Sequence, residues 1–417
     1  MKAVALAFVL FLVAGCGSAA QTPVAGSGYS LYEATSGPSS QQISVIDLKS
    51  GKTQRNLPFG TPSGDWKHLY SVVSASVVDA DPQSGAILNS IKLSGDFQLP
   101  FATASGMPGG LSPNGSWLVV ESFDGNSTSP PTATHMLVID NSVFKVKYRV
   151  DLQGFFEFDA MSNDGLHLYL IQYLSGTEQY YVRLYNLDTG RLADGVIADK
   201  TDGGRSMAGV RLSGVASPDG QWLFSIYVRQ HESPFIHALN LGGSFAFCLD
   251  LPGAGYADAN GDSAMHWSLA LSPDASRLYA VNAAAGIVAT VDTGVNGFPS
   301  IIRTASLNTA QATSSLVQSV EAKELGANAA VVSRDGATLV AAGSTGLVWI
   351  DTATLKLRSS ALAGLRVWSI GLSPDGTTLY ALDDAGDVAG VSMGGSVGTT
   401  FHPDTGYPMA IMRVAVS

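Results

Sequence analysis

The sequence is short of the residues that would make it a disulfide-stapled, nucleic-acid-binding or helical membrane protein. It holds only two cysteines, Cys16 and Cys248, so no framework of disulfides carries the fold. Charged residues make up 14% of the chain, and 23 Lys and Arg face 34 Asp and Glu, a net charge of −11. Binding to a phosphate backbone needs clustered Lys and Arg, so this balance argues against nucleic acid as a partner. The acidic surplus reads as ordinary solubility, and no block of like charge marks a disordered tail. The one marked apolar stretch, Ala3 to Leu12, is too short to cross a bilayer as a helix. Helix-start punctuation is scarce, whereas the 46 glycines suit short strands joined by tight turns.

What is present in abundance is one motif. LSPDGTTLYAL (372–382) recurs as LSPNGSWLVV (111–120), MSNDGLHLYL (161–170), ASPDGQWLFS (216–225), LSPDASRLYA (271–280) and VSRDGATLVA (332–341), with a degraded copy in TPSGDWKHLYSV (61–72). Ser, Pro, Asp or Asn and Gly stand in the order of a type I turn followed by a left-handed residue, so each copy joins two strands. Ala275 replaces the glycine in one copy, and that turn is expected to differ. After each turn the chain is apolar on both faces, as a strand buried between two sheets must be.

A second, third and fourth strand accompany each motif, which is the content of a propeller blade. The turn residues Asn114, Asp164, Asp219, Asp274, Asp335 and Asp375 lie 50, 55, 55, 61 and 40 positions apart. Such spacing fits blades with loops of unequal length. The expected fold is therefore an all-β propeller of four-stranded blades over residues 28–417. Eight units can be counted, and seven is the alternative if the poorly marked unit at 61–93 merges with the first. The segment YPMAIMRVAVS (407–417) resembles the strand before every turn, while the first unit lacks that strand. The C-terminal strand is expected to close the ring and remove an exposed edge.

The residues LYAVN (278–282) and the DTGV and DTAT hairpins at 292–295 and 351–354 resemble the YVTN-type, lactonase-like β-propeller repeat. The resemblance implies the propeller fold. It carries no reaction, because its motifs specify turns and strands. In lactonase-like propellers a metal sits in the channel on inner-strand residues, a pattern that does not map residue by residue here. At the N-terminus, Lys2 and the apolar stretch are followed by LVAGC (12–16), which resembles the lipobox of bacterial lipoproteins. That resemblance implies a signal peptide over residues 1–16, a lipid on Cys16, a flexible tether over 17–27, and a location outside the cytoplasmic membrane. The membrane would then be met through the lipid alone. Cys248 is left unpaired and reads as a small buried hydrophobe.

Signs of chemistry are few. The seven histidines form no i, i+2 or i, i+4 pair, so a zinc signature is absent. Asp258, Asn260 and Asp262 alternate in one loop without completing a calcium pattern. Glu157 and Asp159 share a strand face and form at most a carboxylate pair. No nucleophile elbow, phosphate loop or dinucleotide fingerprint occurs. No catalytic residue, metal or cofactor is expected. The protein reads as a non-catalytic binding or interaction scaffold for a protein or small molecule. The alternatives are a metal-dependent lactonase-like hydrolase or a scaffold subunit of a redox complex. The long loops 94–107, 198–208, 252–265 and 305–326 mark the expected binding mouth. Its candidate residues are Asp202, Arg205, Tyr256, Asp258, Asp262, Glu321 and Glu324, with His266, Arg366 and Trp368 at the adjoining strand starts.

Overall fold

The computed structural model describes residues 28–37, 40–125, 129–197, 204–258, 261–295, 297–307, 329–343 and 345–417. Cys16 and the tether lie outside this range. The described chain forms eight antiparallel blades in a ring. In blade 8, for example, Val367–Leu372, Thr378–Asp383, Val388–Ser392 and Val397–Phe401 run from the innermost strand to the outermost. The unit at 61–93 is a full blade of its own, with Gly60–Pro62 as a three-residue inner strand, so the count is eight and not seven.

The Ser and Asp of the repeated turn explain why the sequence folds this way locally. In all seven copies the serine hydroxyl donates to the Asp or Asn two positions on, at 2.5–2.8 Å. The same hydroxyl oxygen accepts the backbone N–H five positions on, as from Trp222 at 2.9 Å and Thr378 at 2.9 Å. These bonds pin the start of the next strand. Ala275 does not change its turn: it takes φ 56°, beside 68° at Gly220 and 75° at Gly376. Its N–H still bonds the Ser272 carbonyl at 2.8 Å. The side chains that pin the turn outweigh the crowding of a Cβ at positive φ, roughly 1–2 kcal/mol.

The core lies between blades. The Leu of each second strand and the aromatic or Val that follows it face opposite neighbours: Leu31 packs toward Tyr380 and Leu382 of blade 8, and Tyr32 toward Leu69 of blade 2. Eight such interblade clusters join each blade to the next around the ring. The outer strands are mostly exposed, as in Ile87–Lys92. Closure falls to Tyr407–Val416, which pairs antiparallel with Tyr29–Ser36 as the inner strand of blade 1. Ser369 of blade 8 accepts the Ile411 N–H at 2.9 Å and ties the two ends of the ring.

Candidate functional site

Blade 3 breaks the pattern. Its sheet has three regular strands, because the inner position is occupied by LPFATASGMPGGL (99–111), whose prolines and glycines do not suit a ladder. Gln98 exchanges N–H···O bonds with Glu121 at 2.8 and 2.9 Å, and the Gly110 carbonyl accepts from Val119 at 2.8 Å. Between these two anchors residues 99–109 leave the sheet as a hairpin finger. The finger is bonded within itself, Ala102 N–H to Met107 at 2.7 Å and Gly109 N–H to Pro100 at 2.7 Å. At its base a Cβ on Gly110, which has φ 96°, would meet the Val119 carbonyl at 2.5 Å, so glycine is required there.

The finger reaches past its own blade. At its tip the Ala104 N–H donates to the Arg211 carbonyl at 2.9 Å, and the Arg211 guanidinium donates to the Phe101 carbonyl at 3.3 Å. Arg211 belongs to Val210–Ala216, the inner strand of blade 5. Met107, on the returning limb, packs against Ala34, Met409 and Ala410 of blade 1. One segment of blade 3 thus touches the inner strands of two other blades.

Beside the finger lies a recess of about 290 Å³, at the small end of ligand pockets. Its walls are Ala102, Thr103 and residues 108–111 of the finger and its base, Thr61 and Pro62 of blade 2, residues 158–161 of blade 4, and Arg211, Gly214 and Ser225 of blade 5. Arg211 pairs with Asp159 at 2.7 Å, with side chains 12% and 2% exposed. Asp159 sits at a bulge in Phe156–Met161, the inner strand of blade 4, where the register slips between Phe158 and Ala160. A bulge re-aims a side chain, and here it delivers Asp159 to the next blade. One Asp159 oxygen, Oδ2, is buried without a hydrogen-bond partner.

Further carboxyls surround the pair. Glu121 accepts the Phe158 N–H at 3.1 Å, and Glu157 accepts the Tyr173 hydroxyl at 2.7 Å. Burial drives the Glu121 carboxyl up to about 8, against the Phe158 bond and with the nearby Glu157 charge adding to the rise. Burial also raises Glu157, opposed by the bond from Tyr173. The Tyr173, Tyr180 and Tyr227 rings follow one another at 6.1 Å steps behind these groups, and burial pushes all three phenols up.

The residues expected from sequence lie elsewhere. Asp202, Glu321 and Glu324 fall outside the described residues, as does the Asp262 side chain in the short helix Gly261–Ala264. Arg205 is exposed, Tyr256 packs on the core of blades 5 and 6, and Asp258 pairs with His231 at 2.8 Å. Arg366 lies 4.0 Å from Asp384, Trp368 meets Tyr407 edge-on at 6.2 Å, and His266 is half-buried. None of the described ones lines the recess. Cys248 is half-buried, with its sulfur 3.9 Å from His237. Among the described residues no three His, Cys, Asp or Glu side chains are placed to hold a metal ion. Sequence reasoning counted loop 94–107, which holds most of the finger, in the binding mouth, but it weighed Asp159 only as a partner of Glu157 and passed over Arg211 and Glu121. The available signal was a Pro- and Gly-rich segment standing where an inner strand belongs.

Neither a family model nor a curated protein matches the sequence. Among solved structures the fold is similar to the dihydro-heme d1 dehydrogenase NirN in complex with DHE, at TM-score 0.51 and 12% identity, over 93% of this chain and 75% of that one. The periplasmic gluconolactonase PpgL of Pseudomonas aeruginosa gives TM-score 0.46 and 18% identity, over 94% of this chain and all of that one. A 6-phosphogluconolactonase candidate from Bacteroides uniformis gives 0.40 and 18%, over 86% and 97%. The chain is an eight-bladed propeller whose structural neighbours include lactonase-like and other propellers. At such identities the likeness concerns fold alone.

Proposed function

We propose that this protein is a non-catalytic, lipid-anchored binding propeller outside the cytoplasmic membrane, and that its binding centre is the recess beside the finger. The observation that carries the reading is the Asp159–Arg211 pair in the wall of that recess, 2.7 Å apart and almost wholly buried. Burying two charges between blades is at best neutral for stability against apolar packing. Among the described residues no other interblade ion pair is buried to this degree, which supports a use in recognition. Each carboxyl already has a partner: Asp159 pairs with Arg211, Glu157 accepts from the Tyr173 hydroxyl and Glu121 accepts from the Phe158 N–H. Such a wall offers fixed polar groups that can select a ligand. The lipobox-like LVAGC segment supports the anchor and the location.

Capture from solubilised membranes, read by mass spectrometry of both proteins and small molecules, tests this reading. Gly214 lines the recess, and a Cβ there meets only ordinary contacts, the nearest being Ser225 Oγ at 3.4 Å. Gly214→Leu should therefore fill the recess in a folded protein and abolish capture of the partner or ligand. A species held equally by wild type and Gly214→Leu would place the binding centre elsewhere.

A further inference from the structure

The finger is a self-contained hairpin on a weak mooring. Its own bonds, Ala102 to Met107 at 2.7 Å, Gly106 to Thr103 at 3.0 Å and Gly109 to Pro100 at 2.7 Å, hold it together as a unit. Its base is fixed on both sides, by Gln98 paired with Glu121 and by Leu99 and Leu111 packed on the core of blades 2 and 3. Between base and hairpin stand Pro100 on one limb and Gly109 with Gly110 on the other, a pair of joints without bulky side chains on the glycine side. The far end is held differently. Among the described residues, the hydrogen bonds tying it to blade 5 are the two with Arg211, the guanidinium one a long 3.3 Å, while Phe101 is 54% exposed. Met107 adds half-buried contact with blade 1. Arg211 is in turn held in position by Asp159.

We infer that the finger is a hinged plug that gates the recess, latched shut by Arg211 and positioned through Asp159. The finger supplies one wall of the recess, so swinging it on the Pro100 and Gly109–Gly110 joints opens that wall to the channel. The swing breaks the bonds with Arg211 and the Met107 contact, and for a two-state element the minor form ordinarily holds roughly 0.1–10% of molecules. The inference goes beyond the binding reading and rests on it only for what the gate would admit. Its test contains no ligand, so a failed gate leaves the binding reading standing, and a failed Gly214→Leu experiment leaves the gate standing.

The test is thiol labelling of Ser225→Cys, a wall residue that is 2% exposed, in the full chain carrying Cys16→Ser and Cys248→Ala. One variant shortens the finger by replacing residues 102–107 with two glycines, which spares both residues of the Gly109 N–H to Pro100 carbonyl bond at the base. A second combines Arg211→Met with Asp159→Asn, which removes the guanidinium bond to Phe101 without leaving a lone buried charge, while the Ala104 bond to the residue 211 carbonyl can still form. Melting temperatures near that of the parent certify both as folded. The shortened finger should label roughly tenfold or more faster than the parent, by the open fraction above, and the unlatched variant should label faster than the parent by a smaller factor. Hydrogen exchange at the Ala104 amide should rise in the second variant. If the shortened finger labels no faster, the finger is not a plug. If it does but the unlatched variant labels at the parent rate, Arg211 is not the latch, and the proposal falls either way.

Discussion

Two buried carboxyls make the stability of this propeller fall as pH rises through neutrality. Burial lifts Glu33 to about 7, against one hydrogen bond from Thr405, and lifts Glu121 to about 8. Both are almost wholly excluded from water, at 0% and 2% exposure, and Glu33 Oε1 has no hydrogen-bond partner. The folded protein therefore keeps protons that the unfolded chain gives up near 4.5. Their stabilising contribution is complete below that value and is lost progressively as pH climbs to about 7 for Glu33 and about 8 for Glu121. At 1.36 kcal/mol per pH unit, the gaps amount to about 3 and about 5 kcal/mol as orders of magnitude. Against a typical total of about 5–15 kcal/mol, such a loss is large. The turn carboxylate Asp375 works oppositely and in another window. Its Ser373 and Thr377 bonds override burial and hold it at about 2, so its contribution is lost only as acid is added below about pH 4. Denaturant melts of wild type and of the Glu33→Gln, Glu121→Gln double variant, at intervals from about pH 5 to pH 8, separate the effects. Wild type should lose several kcal/mol across the range and the double variant far less. A remaining slope of the same sign is expected from Glu157, raised by burial, and from His135, raised by Asp151 and Asp124. Equal slopes in the two proteins would refute the assignment.

Three further outcomes are expected. Removal of residues 407–417 strips buried Met409, Ile411 and Val414 from blade 1, about 1.5–3 kcal/mol each, so the truncated chain should be insoluble or lose its cooperative melt; a soluble product with an unchanged melting temperature would count against ring closure as a source of stability. Ala275→Gly should relieve a φ of 56° and raise stability by about 0.5–1 kcal/mol, after allowing for the greater freedom of glycine in the unfolded chain, and a lower melting temperature would show that the turn carries no strain. Cys16→Ser should move the protein from the membrane fraction to soluble or unprocessed pools, and membrane residence with a processed N-terminus would sink the lipid anchor.

The fold was legible where local chemistry repeats. Ser, Asp and the residue at positive φ act within six positions of one another, so each copy of the turn announces itself without reference to the rest of the chain. This locality also explains why Ala275 misled: the substitution removes the glycine but leaves Ser272 and Asp274, whose 2.6 Å bond holds the turn. Trp66 makes the point again, standing at φ 60° in the most degraded copy. Ring closure was legible for the same reason, since 407–417 repeats a strand pattern, although not every apolar residue in it is buried. Val416 lies at the end of the strand and is 61% exposed, and Met412 is half-buried.

The recess was not legible, because nothing that builds it is local. Asp159 and Arg211 are 52 positions apart and meet only because two neighbouring inner strands each bulge at that level. Phe101 and Arg211 are 110 positions apart and meet only because the finger of blade 3 reaches blade 5. A repeat supplies the same inner strand to every blade, so the channel it lines is equivalent all round. Selectivity requires that the equivalence be broken, and the break has to come from a segment the repeat does not specify. In this chain that segment is 99–109, where Pro100, Pro108 and Gly110 end the ladder that the other blades complete. The place where repeat reasoning fails is therefore the place to test for function first.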